Sequence, residues 1–383
     1  MPNIDDLLTI ACQEGASDLH LKAGVYPFIR VSGEMKPVRE WPRLTQEDTL
    51  TMAFAIMSNR QKQRFKENAE IDVSYGVPGL GRFRCNVFQQ RGSVGLVIRV
   101  IPTNIKTIGE LRLPKVIEKV ADERRGLILV TGTTGSGKST SLAAIIDYIN
   151  STRSGHVITI EDPIEFLHRD KKSFLTQREI EVDAINFSSA LRGALRQDPD
   201  VILVGEMRDH ETIATALTAA ETGHLVLSTL HTIDATETIQ RVVSIFPPHE
   251  QQGIRLQLAS VLKAVVSQRL IRALDGKARV PAVEVLVSTP YIRDCIIHPE
   301  KTRLIRDALS QGKSQYGMQT FDQSLYDLYS QNLISYEEAL HGASNADEFK
   351  LHVQGISTSS EVSQSQTPAN WNPPVGSTRA GQK

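Results

Sequence analysis

Residues 132–139 read Gly132-Thr133-Thr134-Gly135-Ser136-Gly137-Lys138-Ser139, with Thr140 next. The spacing is G-x-x-x-x-G-K-[ST] without a mismatch. Glycines let the backbone bend tightly and turn its N–H groups inward around a phosphate chain. The lysine is long enough to reach the β- and γ-phosphates, and the Ser139 hydroxyl is a ligand for Mg²⁺. The chemistry is therefore the binding of a nucleoside triphosphate with its metal.

Hydrolysis needs a metal ligand and a group that orients or deprotonates water. DVILVGEMRD (200–209) is an apolar run ending in Gly205-Glu206, an acid at a strand's carboxyl end. There Glu206 is placed to act on Mg²⁺ or on the attacking water. HVITIEDPIEFLH (156–168) ends in Glu161, Asp162 and Glu165. These offer a second source of carboxylates, and Asp162-Pro163 reads equally as the cap of a following helix. TGHLVLSTLHT (222–232) is an apolar run bracketed by His224 and His231. An isolated histidine is most often a satisfied polar side chain. The carboxyl-end position of His231, beside the expected γ-phosphate, makes it a candidate sensor of hydrolysis. His224 sits at the opposite end. Arg82, Arg84, Arg91 and Arg99 lie outside this region. They read either as solvated charge or as arginine fingers toward a nucleotide held by another domain or subunit.

These groups need a frame. RGLILVTG (125–132) reads as a buried strand and KSTSLAAIIDYIN (138–150) as the helix whose N-terminus faces the phosphates. Strands expected at 125–131, 156–160, 201–204, 225–229 and 281–287 alternate with helical patterns, which predicts an α/β fold with a parallel sheet. LASVLKAVVSQRL (258–270) reads as an amphipathic helix, and 301–353 as wholly helical. Residues 1–101 form a smaller α+β domain. It has a helix over 3–14, strands over 17–24, 27–38 and 71–77, two helical patterns in 45–68, and a hairpin over 81–102 turning at Arg91-Gly92. Along it Phe83, Cys85 and Val87 alternate with Arg82, Arg84 and Asn86, one face apolar and one basic. A linker over 102–114 leads to a helix over 114–122 and the second domain, 115–355. The tail, 356–383, is rich in Ser, Pro, Gly and Gln, and its composition predicts disorder.

The 383-residue chain has 40% hydrophobic and 23% charged residues and a formal net charge of −1, ordinary for globular domains. A near-neutral total without an aromatic–basic interleaved patch argues against a nucleic-acid motor. Cys12, Cys85 and Cys295 are too scattered for a zinc ribbon and suit a reducing compartment. The acidic N-terminus does not read as a signal peptide, and no apolar run approaches the roughly 20 residues that span a bilayer.

GTTGSGKSTS, ITIEDPIEFLH, VILVGEMRD and TGHLVLSTLHT resemble the Walker A, Asp box, Walker B and His box of the type II/IV secretion ATPases. Within that superfamily, GASDLHL, GRFRCNVFQQRG, LRQDPDVILVGEMRD and GMQTFDQSLYDLY resemble the PilT/PilU-type retraction ATPases of type IV pili. The resemblance covers residues 1 to about 353. It implies a PAS-like N-terminal domain, a RecA-like ATPase domain and a homohexameric ring at the cytoplasmic face of the inner membrane. It also implies ATP bound between the domains and completed by arginines of the GRFR region, with Glu206 and Glu161 as catalytic acids and His231 as a nucleotide-linked switch. Implied partners are an inner-membrane platform protein and, for the accessory form, a second retraction ATPase. YIRDCIIHPEK (291–301) keeps only Ile292, Arg293 and Ile296 of the AIRNLIRE-like segment of principal motors, and Thr133 stands where proline is common. Principal and accessory motors therefore both remain as readings. Assembly ATPases carry a further N-terminal domain and a four-cysteine zinc motif, neither of which this sequence shows. A nucleotide-binding scaffold without turnover fits poorly with intact Lys138, Glu161 and Glu206.

Overall fold

The computed structural model describes residues 3–354 apart from 103 and 277. The tail expected to be disordered lies outside the described residues.

The first layer is a six-stranded antiparallel sheet: β1 (Asp18–Lys22), β2 (Phe28–Val31), β3 (Glu34–Pro37), β4 (Glu70–Val77), β5 (Gly81–Gln90) and β6 (Ser93–Val100), in the order β3-β2-β1-β6-β5-β4. The segment 27–38, read as strand with a turn glycine, is a hairpin, β2–β3. It reverses at Ser32 and Gly33, both at positive φ, which is the conformation of a tight hairpin turn. Arg91 and Gly92 make the same turn between β5 and β6. Phe83, Cys85 and Val87 are fully buried, as their alternation requires. They pack with α1 (Ile4–Gln13), α2 (Gln46–Ala55) and α3 (Asn59–Asn68) in one core. Both α2 and α3 start in capping boxes, Thr45–Asp48 and Ser58–Gln61.

The second sheet has seven strands: β7 (Gly126–Thr131), β8 (His156–Glu161), β9 (Phe174–Glu179), β10 (Val201–Val204), β11 (Leu225–Leu230), β12 (Leu262–Arg272) and β13 (Arg279–Val287). Their order is β13-β12-β7-β11-β10-β8-β9. All neighbours are parallel except β12 and β13, which pair antiparallel. So the strand expected over 281–287 joins the sheet in the opposite sense from its fellows. Helices α4 (Val116–Ala121), α5 (Lys138–Thr152), α6 (Phe187–Ala194), α7 (His210–Glu221), α8 (Ala235–Ser244), α9 (Gln251–Val261) and α10 (Pro290–Ile297) cover it. Burial on both faces explains why these strands read as unbroken apolar runs.

Two expectations fail here. The helix expected over 258–270 stops at Val261, and the remainder is β12, paired in parallel with β7. A doubly buried strand and a buried helix share the same apolar run, and periodicity does not separate them. No helix follows Asp162, so the alternative of a helix cap there falls. β9 was not expected at all. Beyond α10, a 3₁₀ turn at Pro299–Leu304 and helices at Ile305–Gln311, Lys313–Tyr316, Phe321–Ser330, Tyr336–Gly342 and Ala346–Val353 form the helical end. Among the described residues no helix is long and apolar enough to cross a membrane.

Candidate nucleotide site

β7 delivers the glycine loop at its carboxyl end. Gly132 has φ +138°, and a Cβ there would stand 2.4 Å from the Gln268 carbonyl oxygen. No side chain fits that turn. Gly137, at φ +94°, is the N-cap of α5 and supplies no side-chain cap. The first-turn N–H groups of α5 are therefore directed at the loop, where an anion gains from them and from the helix dipole. Lys138 is buried, and its Nζ donates to the Gly132 and Thr133 carbonyls at 2.8 and 3.1 Å. Burial lowers its pKa, and the Glu206 carboxylate pulls it back up.

β10 ends at Val204, and Gly205 passes the chain close over β8. A Cβ on Gly205 would lie 3.1 Å from the Ile160 carbonyl oxygen. The Thr229 hydroxyl of β11 donates to the Gly205 carbonyl at 2.6 Å. This fixes Glu206 beside the end of β11. Its Oε1 lies 3.0 Å from His231 Nε2 and 2.5 Å from Arg208 Nε. Glu161, the last residue of β8, accepts from the Thr159 hydroxyl at 2.6 Å and from Gln177 Nε2 at 3.2 Å. Burial raises the Glu161 pKa, and those hydrogen bonds oppose it. Asp162 is also raised, by burial and then by the charges of Glu181 and Glu179.

A cleft of about 940 Å³ brings these groups together. Thr134, Gly135, Gly137, Lys138, Ser139 and Thr140 line it with Glu161, Asp162, Glu165, Glu206 and His231. Arg99, from β6, lines it too while its Nε donates to Asp18 at 3.1 Å. The remaining residues of the sequence reading lie elsewhere. Gly132, Thr133 and Ser136 form the back of the loop. Arg82 is held by Glu179 of β9 at 2.8 Å. Arg84 is 4.0 Å from Asp72, and Arg91 sits in the β5–β6 turn. His224 is at the amino end of β11, where its Nδ1 meets the Ala219 carbonyl at 2.9 Å.

Sequence reasoning missed Arg208, Arg279 and His168, which also line the cleft. Arg208 was visible in GEMRD, two residues past Glu206. Arg279 opens a strand whose partner was misread, and His168 is half-buried, desolvation pushing its pKa down to about 4. A second cavity, of about 760 Å³, shares Gly137, Thr140, Leu270 and Arg279 with the cleft and continues to Leu111 and Leu113.

A parallel sheet with a glycine loop feeding a helix, and acids at neighbouring strand ends, defines a P-loop nucleotide-binding protein. The sequence model of the type II/IV secretion system proteins matches residues 1–334, and the chain belongs to that family. It is 48% identical to the type IV pilus retraction ATPase PilT of Pseudomonas aeruginosa, over 91% of this chain and 100% of that protein. It is 43% identical to the type IV pilus ATPase PilU of the same organism, over 91% of each chain. A crystal structure of the pilus retraction motor PilT with bound ADP superposes with a TM-score of 0.82 at 47% identity. That match covers 91% of this chain and 99% of the other.

Proposed function

We propose that this chain is an ATP-hydrolysing motor that powers retraction of a type IV pilus. The observation that carries it is the convergence of Lys138, Glu206 and His231 on one cleft beside an uncapped helix N-terminus. The kinship with proteins named as pilus retraction ATPases supplies the biological setting.

The loop N–H groups and Lys138 would hold the β- and γ-phosphates, and the second cavity would take the base and ribose. The residues fit a magnesium ion: the Ser139 hydroxyl and the Glu206 carboxylate are hard oxygen donors lining the same cleft. The ion would neutralise charge on the phosphates. The Glu206 charge acts on Lys138, which suits the metal side, and Glu161 would orient the water that attacks the γ-phosphate. His231, hydrogen-bonded to Glu206, would register the loss of that phosphate. Of the four arginines read from the sequence, Arg99, already in the cleft, is the best situated to complete the site. Arg82 would do so only after leaving Glu179, and Arg84 or Arg91 only by domain movement or from a neighbouring subunit. The segment 102–114 would be the hinge between the two sheets. A homohexameric ring beneath an inner-membrane platform protein, alone or with a second retraction ATPase, would turn these closures into removal of pilin subunits.

The test is Mg-ATP hydrolysis by the purified chain at several concentrations. Turnover should rise with assembly, vanish in Lys138→Ala and fall about 100-fold or more in Glu206→Gln while ADP binding persists. Normal turnover in Glu206→Gln would overturn its assignment.

A further inference from the structure

The amide of Gln177 makes three hydrogen bonds, to the last residue of β8 and to the segment that joins it to β9. Its Nε2 donates to Glu161 Oε1 at 3.2 Å and to the Phe166 carbonyl at 2.9 Å. Its Oε1 accepts the His168 N–H at 2.9 Å. Only a side chain with two donors and an acceptor at one planar tip can do this, so neither Glu nor an apolar residue substitutes. Two residues along the same face of β9, the Glu179 carboxylate accepts the Ile164 N–H at 3.2 Å. It also receives Arg82 at 2.8 Å and the Ser74 hydroxyl, both from the first sheet. Side chains one residue apart in the alternation share a strand face. The face of β9 thus grips residues 161, 164, 166 and 168. The segment it grips carries Asp162 and Glu165 along the cleft wall.

We propose that Gln177 is a positioning residue for hydrolysis, which fixes the Glu161 carboxylate and closes the segment behind it. The proposal rests on the reading of Glu161 as the group that orients water. Among the described residues, Glu161 is otherwise held only locally, by the Thr159 hydroxyl two residues back and by the Glu165 backbone, with the Glu165 side chain adding a like charge. Gln177 is, among the described residues, the one hydrogen-bond donor that reaches Glu161 from a neighbouring strand.

The test compares Gln177→Met, Gln177→Glu and Glu161→Gln, and the double variant Gln177→Met/Glu161→Gln. The readouts are kcat for Mg-ATP across pH, and equilibrium affinity for a fluorescent ADP analogue. Gln177→Met keeps the volume and removes every hydrogen bond. It should lower kcat about 10-fold, the lower end for residues that orient a functional group, with ADP affinity within about 2-fold. A carboxylate that loses a donor protonates more easily, so the acid limb of its kcat profile should move to higher pH. Gln177→Glu, which faces Glu161 with a second carboxylate, should be slower still and ADP-competent. In the Glu161→Gln background, Gln177→Met should cost nothing further, because its effect runs through Glu161. An unmoved acid limb, or an equal loss in both backgrounds, would overturn the positioning role. Normal turnover in Glu161→Gln would instead remove Glu161 from the chemistry, and this proposal with it.

Discussion

Glu284 lies on β13 with its carboxylate buried, accepting the Ala235 N–H at 2.9 Å in the first turn of α8. That turn follows directly on His231, so the carboxylate anchors the segment bearing the histidine. Burial pushes the Glu284 pKa up from the ordinary 4.5 to about 7. The Ala235 amide, Arg269 and Arg306 oppose the shift, and Asp234 adds to it. A carboxyl group whose folded pKa is raised contributes stability that is fully present below its unfolded pKa. That stability is lost as pH rises through the folded value. The gap between 4.5 and about 7 corresponds to about 3 kcal/mol at 1.36 kcal/mol per unit. Glu284→Gln keeps an acceptor for Ala235 and cannot ionise. Its added amide N–H groups, if unpaired, subtract about 1 kcal/mol. The variant should therefore match or trail the wild type near pH 4.5 and exceed it by about 2 kcal/mol above pH 8. For a domain of this size that is a rise of roughly 4–8 °C in the unfolding midpoint. Thermal unfolding of both proteins at matched ionic strength from pH 5 to 9 measures it. A difference that stays flat with pH, or a variant less stable at high pH, would refute the argument that Glu284 is ionised at a cost.

Gly132→Ala should abolish measurable ADP binding and lower stability by about 1–3 kcal/mol, because its Cβ meets the Gln268 carbonyl at 2.4 Å; isothermal titration and thermal unfolding report the two effects. Arg82→Ala leaves the buried Glu179 carboxylate without its cation. Arg82 is itself partly exposed, so the loss should be about 1–3 kcal/mol, below that of a fully buried pair. Adding Glu179→Gln to Arg82→Ala should recover part of that loss in thermal unfolding, and effects of the two single variants that simply add in the double would show that the pair is uncoupled.

The placement of the glycine loop, of the acids at 161 and 206 and of the histidine at 231 at strand ends was legible because each signal is local: a spacing, or an apolar run with a polar end. The burial of Phe83, Cys85 and Val87 was legible for the same reason. What the sequence hid is long-range. Arg82 looks like free charge on a basic face, and its partner Glu179 lies 97 residues away. β9, FLTQRE, is mostly half-buried at a sheet edge, so it shows neither alternation nor a continuous apolar run. β12 shows such a run but follows α9 without a turn residue between them, and the two merged into one apparent helix.

Strand order was hidden as well, and it decides how the two acids differ. From β7 the sheet runs β11, β10, β8, each step being about 4.8 Å. A triphosphate held by the loop at the end of β7 would therefore meet the end of β11, with His231, then that of β10, with Glu206. The end of β8, with Glu161, is three steps and about 14 Å from β7. Lys138 feels the Glu206 charge accordingly. In the sequence each acid is simply the polar end of an apolar run, which leaves the two interchangeable. In the fold, Glu206 is tied to His231 and Arg208, while Glu161 has β9 on its far side. A group that far from the loop lysine needs its orientation set from elsewhere, and the donor on that side is Gln177.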